Sequence, residues 1–166
     1  MAIDYLLIIQ GNELTNERFM NELQRLGLNC NAVSRLKRGI EINQFRSVFG
    51  VTIYLTDPSP APNDAIEFEF LRKEFKYGRC LTFEFVKNFQ NADIQWKFMI
   101  NIVFLLMNQL KTNAVFSFGF DTLYCFFSRA HELFINNKSG LRDNQYFIDS
   151  TAGWKCFDIE KSIVNF

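Results

Sequence analysis

The amino-acid sequence predicts a single α+β domain, spanning residues 1–166, in which an antiparallel β-sheet packs against a long central apolar helix and an N-terminal amphipathic helix. The first observation is the stretch 91–111, which is apolar around most of its circumference when it is drawn as a helix. The second is the alternation of apolar and polar residues in several short segments, which is typical of half-buried strands. The third is the length of 166 residues, which suits one domain with a real core and needs no linker.

The first third of the chain predicts a strand, a helix and two further strands. Ile3–Ile9 is a short apolar run with β-branched and aromatic residues, as expected of a buried strand. The next segment places apolar residues on one helical face, with Asn12 or Thr15 available as an N-terminal cap. Gly27 stands where a helix C-terminus favours glycine. Residues 38–43 and 47–55 then have strand-like composition.

A proline-rich loop and a β-hairpin are predicted next. All three prolines fall within residues 57–63, so this segment cannot be a helix interior or a central strand and is expected to be a surface loop. Residues 66–70 and 81–85 repeat one alternation of apolar residues and carboxylates, on either side of a turn that contains Gly78. Such a hairpin would direct its phenylalanines at the apolar helix and Glu67, Glu69 and Glu84 at the solvent.

The second half of the chain predicts the apolar helix and a meander of strands. Asn91 can cap the helix and Lys111 suits the negative end of its dipole. Residues 114–120, 123–127 and 132–136 then predict three antiparallel strands, with a short buried helix as the alternative for the middle segment. A further strand is predicted at 146–148.

Bulk composition excludes several classes of partner. The 18 lysines and arginines balance the 18 aspartates and glutamates, so no net field attracts nucleic acid or an anionic membrane. The apolar helix carries Lys97, Asn101 and Asn108, which would be costly in hydrocarbon. The four cysteines form no CxxC pair and no secretory signal precedes them, so buried thiols in a reducing compartment are expected. We therefore expect a cytoplasmic protein that binds neither membrane nor, directly, nucleic acid.

Residues for enzyme chemistry are scarce in the sequence. The single histidine, His131, lies in a predicted turn, where it is expected to be a surface residue rather than a catalytic base or metal ligand. The sequence contains no phosphate-binding loop, dinucleotide fingerprint or calcium loop. We predict no catalytic residue, no cofactor and no metal, and hence not an enzyme.

The remaining candidate site is a group of carboxylates, Glu67, Glu69 and Glu84, with Glu41 as a further member. The simplest interpretation is the solvated face of a strand. The functional interpretation is a patch that binds a protein partner. The alternative is a small carboxylate-based hydrolase, metal-assisted in one version, because paired carboxylates can do acid and base work or hold a divalent cation.

The order of predicted elements resembles the immunity proteins of bacterial contact-dependent and outer-membrane-exchange toxin systems, in particular the Sit-type immunity family. Five segments carry the resemblance over most of the chain. They are residues 1–5 (MAIDY), residues 26–28 (LGL), the strand at 80–87, the helix at 99–110 and the segment 115–136, which looks like that family's terminal hairpin. These are patterns of core residues and contain no signature motif.

The resemblance implies a small cytoplasmic protein, a monomer or weak homo-oligomer, that neutralises the C-terminal domain of one cognate toxin by stoichiometric binding. It transfers no catalytic or binding residue to this sequence. A nuclease is the expected toxin, and carboxylates can then stand where the substrate phosphates would bind. Glu67, Glu69, Glu84 and Glu41 are the residues that we expect to contact it. The formal net charge of zero departs from strongly acidic immunity proteins of some nucleases and argues against pure charge mimicry.

Overall fold

A large β-sheet with four α-helices among the described residues places the protein in the predicted α+β class. The computed structural model describes residues 3–58, 65–162 and 164. The helices are α1 (Asn16–Arg25), α2 (Arg46–Phe49), α3 (Ala92–Gln109) and α4 (Gln145–Ser150). The strands are β1 (Ile3–Ile9), β2 (Val33–Leu36), β3 (Gly39–Ile42), β4 (Val51–Thr56), β5 (Ala65–Ile66), β6 (Phe75–Lys76), β7 (Arg79–Phe85), β8 (Ala114–Phe118), β9 (Thr122–Ser128), β10 (Glu132–Ile135) and β11 (Lys155–Asp158).

The main sheet contains nine strands in the order β11-β10-β9-β8-β1-β7-β4-β3-β2. Its middle strand is β1, which pairs antiparallel with β7 on one side and β8 on the other. The predicted antiparallel arrangement is correct except at one edge, where β11 runs parallel to β10. The predicted meander is confirmed, because β8, β9 and β10 pair in sequence and the middle segment is a strand.

One face of the sheet is covered by the helices. Thr15 caps α1, and Asn91 caps α3 by accepting a hydrogen bond from the Ile94 backbone amide at 3.3 Å. Residues of α1, α3 and α4 join the inward side chains of the strands in one apolar cluster. Buried Gln95 fixes the start of α3 to the sheet, since its Nε2 donates to the carbonyl oxygens of Gly50 and Val86. Within the described residues no helix combines the length and the apolarity needed to cross a membrane.

The opposite face is covered over one half by the strap, which we define as residues 66–77. Phe68, Leu71 and Phe75 of the strap are buried in a second apolar cluster, together with Ile159 and Val164 near the C-terminus. The sheet contributes Leu6, Ile8, Cys80, Val115, Leu123, Phe126 and Phe134 to this cluster. The covered half therefore comprises β8 to β10 and the adjoining ends of β1 and β7.

The predicted hairpin of residues 66–70 and 81–85 is wrong. β7 has β1 and β4 as its neighbours, so both of its edges are already paired. Of residues 66–70 only Ile66 belongs to a strand, the short β5, which pairs with Phe75 and Lys76 of β6. Phe68 consequently packs on the sheet face opposite the helices, whereas Phe83 points toward them as expected.

Four further predictions need correction or fall outside the description. The strand predicted at 146–148 is part of α4, because Asn144 Oδ1 caps that helix at the Phe147 amide. The segment 47–55 begins as α2 and becomes β4 only after Gly50, whose φ of 67° turns the chain. Of the proline-rich loop, residues 59–63 lie outside the described residues. Cys156 is exposed, so the expectation of buried thiols fails there.

Candidate functional site

The open half of the sheet face opposite the helices carries polar side chains from four strands, and we call this surface the polar half-face. Strand register places Glu41, Tyr54 and Thr82 in one row across β3, β4 and β7. The next row contains Thr52, Glu84 and Asp4, across β4, β7 and β1. Directly opposed residues in such rows have Cβ atoms about 5 Å apart. The polar half-face is thus Asp4, Glu41, Thr52, Tyr54, Thr82 and Glu84.

Glu84 is the centre of the contacts on the polar half-face. Its Oε1 lies 3.1 Å from Arg46 Nη1 of α2 in an ion pair. Its Oε2 accepts a hydrogen bond of 3.4 Å from the Tyr54 hydroxyl. Arg46 Nη1 also donates to Thr52 Oγ1 at 3.4 Å. Through these contacts Glu84 links its own strand β7 to β4 and α2. Its side chain is 26% exposed.

Electrostatic repulsion persists on this surface despite the Arg46 ion pair. Partial burial and the nearby charge of Glu84 raise the pKa of Asp4 above its usual value. Partial burial raises the pKa of the Tyr54 phenol, and the charges of Glu84 and Glu41 raise it further, against the opposing effect of Arg46. Burial makes the largest contribution to both pKa shifts, and the neighbouring carboxylates add to it.

The predicted site residues divide between two places. Glu41 and Glu84 flank Tyr54 on the polar half-face, so the structure brings these two together. Glu67 and Glu69 are exposed on the strap, where they line a surface hollow of about 490 Å³ whose wall does not include Glu84. The predicted placement of Glu67 and Glu69 on a strand of a hairpin is wrong, because neither belongs to a strand. The other residues lining the hollow are Phe68, Leu71, Arg72, Lys73 and Glu74.

The other groups of interest for chemistry are the metal-ligating side chains, the single histidine and the buried cysteines. In the part of the chain that the structure describes, no group of three or more histidine, cysteine, aspartate or glutamate side chains is arranged to hold a metal ion. His131 lies in the β9–β10 turn and stacks on Trp154 with ring centroids 3.9 Å apart. Burial raises the pKa of the Cys80 thiol to about 11 and that of Cys125 well above its usual value, which suppresses the thiolate.

Sequence reasoning missed Asp4, Arg46, Thr52 and Tyr54 as members of the site. Each comes from a different part of the chain than Glu84, and only the pairing of β1, β7 and β4 brings them together. The one available signal was the alternation in β4, whose Thr52, Tyr54 and Thr56 share a face opposite Val51, Ile53 and Leu55. That alternation shows a polar face but does not identify the neighbouring strands.

Comparison of the chain with protein-family models, with curated proteins and with solved structures finds no match. The functional argument therefore depends on the residues and their geometry.

Proposed function

We propose that this protein is an immunity protein that binds the C-terminal domain of a cognate bacterial toxin and neutralises it stoichiometrically, without turnover, in the cytoplasm. The observation that carries the proposal is the polar half-face, a broad sheet surface on which Asp4, Glu41 and Glu84 remain in contact with solvent. Such a surface suits recognition of a cationic protein, because complementary charge accelerates association and selects the partner.

The scaffold behind the polar half-face supports a binding role. The half-face lies on interior strands of the sheet, so its side chains are held by ladders on both sides. In this proposal the long apolar helix α3 and the amphipathic helix α1 form the support, and nine buried side chains of α3 are consistent with that role. A surface that is already ordered loses little conformational entropy when a partner binds.

The chemistry of the site favours binding over hydrolysis. A hydrolase would need a nucleophile, a base or a metal near the carboxylates, and the groups that contact Glu84 are Arg46 and Tyr54. Arg46 lies in an ion pair and burial raises the pKa of the Tyr54 phenol, so neither is arranged as a base near neutral pH. The proposed protein acts as a monomer or weak homo-oligomer, with one toxin domain per chain.

The experiment is affinity capture of the tagged full-length chain from its native cells, followed by toxicity tests of the captured protein. We expect a stoichiometric partner that is lethal when expressed alone and harmless when expressed with this chain. The double variant Glu41→Lys/Glu84→Lys should weaken that complex by about 3 kcal/mol or more, because it places like charges at the interface.

The matched control is Glu67→Lys/Glu69→Lys, which makes the same change of charge on the strap. Retained affinity in this control, with loss in the first variant, assigns binding to the polar half-face. Loss only in the control would move the interface to the strap. Capture of no toxic partner from cells that express the neighbouring reading frames would contradict the immunity function itself.

A further inference from the structure

We propose that the exposed edge of β2 receives an extended, acidic segment of a protein partner as a further strand of the main sheet. The inference goes beyond the proposed function, because it concerns a different surface and does not require the partner to be a toxin. It depends on two separate observations, which are the unpaired backbone of this edge and the cations around it that form no ion pair.

The unpaired backbone belongs to β2, one of the two edge strands of the main sheet. β2 pairs antiparallel with β3 along Val33–Leu36, and among the described residues no strand lies on its other side. Alternate residues of such a strand direct their N–H and C=O groups away from the paired neighbour. Ser34, Arg35 and Leu36 are exposed, so no described part of the chain covers these groups. An open edge of this kind can bind an extended segment through main-chain hydrogen bonds.

The β2–β3 hairpin also carries three cations within residues 35–38, namely Arg35, Lys37 and Arg38. None of them takes part in an ion pair within the described residues. Arg38 Nη2 donates to the carbonyl oxygen of Asp57 at 2.8 Å, and that oxygen carries no formal charge. The positive charge at this end of the edge is therefore available to a partner.

The opposite edge of the sheet, β11, differs in this respect. Lys155 Nζ lies 3.7 Å from Glu132 Oε1 of the neighbouring strand. Asp158 forms ion pairs with Arg142 and Lys161. Because the charges of β11 are matched within the chain and those of β2 are not, β2 is the edge that a partner of opposite charge can neutralise.

The same cations select the kind of strand that can bind. Charged side chains on an edge strand oppose pairing with a second copy, because like charges across a strand pair are destabilising. An acidic segment instead places carboxylates opposite the cations, and complementary charge accelerates association and selects the partner. The occupant that fits this edge is therefore an acidic strand and not another copy of the chain.

The register of the hairpin specifies the pattern of that acidic strand. Arg35 is opposite Ile40, which is buried on the helix side of the sheet, so Arg35 lies on that side as well. Ser34 is opposite Glu41, on the side of the polar half-face, where a further carboxylate would be repelled. The bound segment should therefore have carboxylates at every second position, on the side of Arg35, with uncharged residues between them.

The test is an NMR titration of the isotope-labelled full chain at low salt with a short peptide that alternates glutamate with valine. We expect the largest changes of amide shift at residues 33–38, together with cross-strand nuclear Overhauser contacts between the peptide and β2. One control peptide alternates lysine with valine, and the other is the glutamate peptide with every backbone nitrogen methylated. Both controls should bind much more weakly, since the first has the wrong charge and the second cannot form the ladder.

Three results would overturn the proposal. Equal binding of the methylated peptide would show attraction between charges without strand pairing. Shift changes centred elsewhere, for example on β11, would place the peptide at another surface. Shift changes at β2 that depend on the concentration of the chain alone would assign the edge to a second copy.

A charge reversal tests the role of the cations on the same edge. Arg35→Glu/Lys37→Glu should weaken binding of the glutamate peptide about threefold or more and should make the lysine peptide the tighter ligand. The matched control Lys155→Glu/Lys161→Glu makes the same change of charge at the β11 edge and should retain the affinity for the glutamate peptide. An equal loss in both variants would show that net charge, and not the edge of β2, attracts the peptide, and the inference would fail.

Discussion

The two faces of the nine-stranded sheet are built from the same strands but are covered in different ways. The helix face carries buried apolar side chains from β3 across to β10 and is covered by α1, α3 and α4, with Phe83 and Phe116 fully buried. The opposite face, which we call the strap face, is apolar only under residues 66–77 and the C-terminal segment. Toward β3 and β4 the side chains on this face are carboxylates, threonines and Tyr54.

This contrast shows which face stabilises the fold and which face is free to bind. A strand alternates its side chains between two faces, so apolar residues at every second position are enough for the helix face. The alternate positions of each strand point to the opposite face, and they need to be apolar only where the strap covers that face. On β7, Cys80 is apolar under the strap, whereas Thr82 and Glu84 extend onto the open half.

The largest expected effect is loss of packing on the helix face. Phe83→Ala should lower the free energy of unfolding by about 3–5 kcal/mol, because Phe83 is fully buried and the surrounding strands and α3 cannot close the cavity. Urea unfolding at fixed pH measures the change. Phe120→Ala is the control, since this side chain is 52% exposed and its loss should change stability by less than about 0.5 kcal/mol. A similar cost for both variants would contradict the assigned core.

A smaller and more local effect is expected on the strap face. Phe68→Ala should cost about 3 kcal/mol or less, because the strap can shift to fill part of the space that Phe68 leaves. It should also make opening of the strap easier and so speed the modification of Cys80 by a thiol reagent about tenfold, which corresponds to about 1.4 kcal/mol.

Cys125 serves as the internal reference for this comparison of faces. It is buried in the helix-face cluster, whereas Cys80 is buried in the strap-face cluster, so each thiol reports on one face. The measurement uses a chain in which the two less buried cysteines, Cys30 and Cys156, are replaced by serine. Equal acceleration at Cys80 and Cys125 would show that Phe68→Ala unfolds the whole domain and that the strap is not a separate unit.

The strap also shows the limit of sequence-based prediction in this protein. Residues 66–70 and 81–85 have the same alternation of apolar with polar residues, but only the second forms a regular strand. The difference is that β7 finds β1 and β4 as partners, and these are distant in sequence. Local alternation reports that one side of a segment is buried and does not report which layer buries it.

Elements with strong local signals were easier to predict. Ile3–Ile9 forms the strand expected of its apolar run, and α3, Ala92–Gln109, begins directly after the expected cap Asn91. In α4 the capping signal of Asn144 was present, but the apolar triplet that follows it favoured a strand. The candidate site was predictable in part, because Glu41 and Glu84 were found from composition while Asp4, Tyr54 and Arg46 required the register of the sheet.

The smallest expected effect tests the charge of the polar half-face. Burial and the charge of Glu84 raise the pKa of Asp4 above 3.8, so ionisation of Asp4 destabilises the folded state. The cost is absent below the unfolded-state pKa and develops as the pH rises through the folded-state pKa. Asp4→Asn should therefore be more stable than the wild type at pH 7 by about a few tenths of a kcal/mol, because solvent screens this exposed group, and the difference should vanish near pH 3.

A double-mutant cycle assigns the source of that small difference. In the Glu84→Gln background the charge of Glu84 is gone, so Asp4→Asn should gain less than it gains in the wild type, and only the contribution of burial should remain. Paired urea titrations at pH 3 and pH 7 measure the four chains. If Asp4→Asn is less stable than the wild type at pH 7, Asp4 is already neutralised by a cation in the free protein. The polar half-face would then lack the excess negative charge that sets it apart from the helix face.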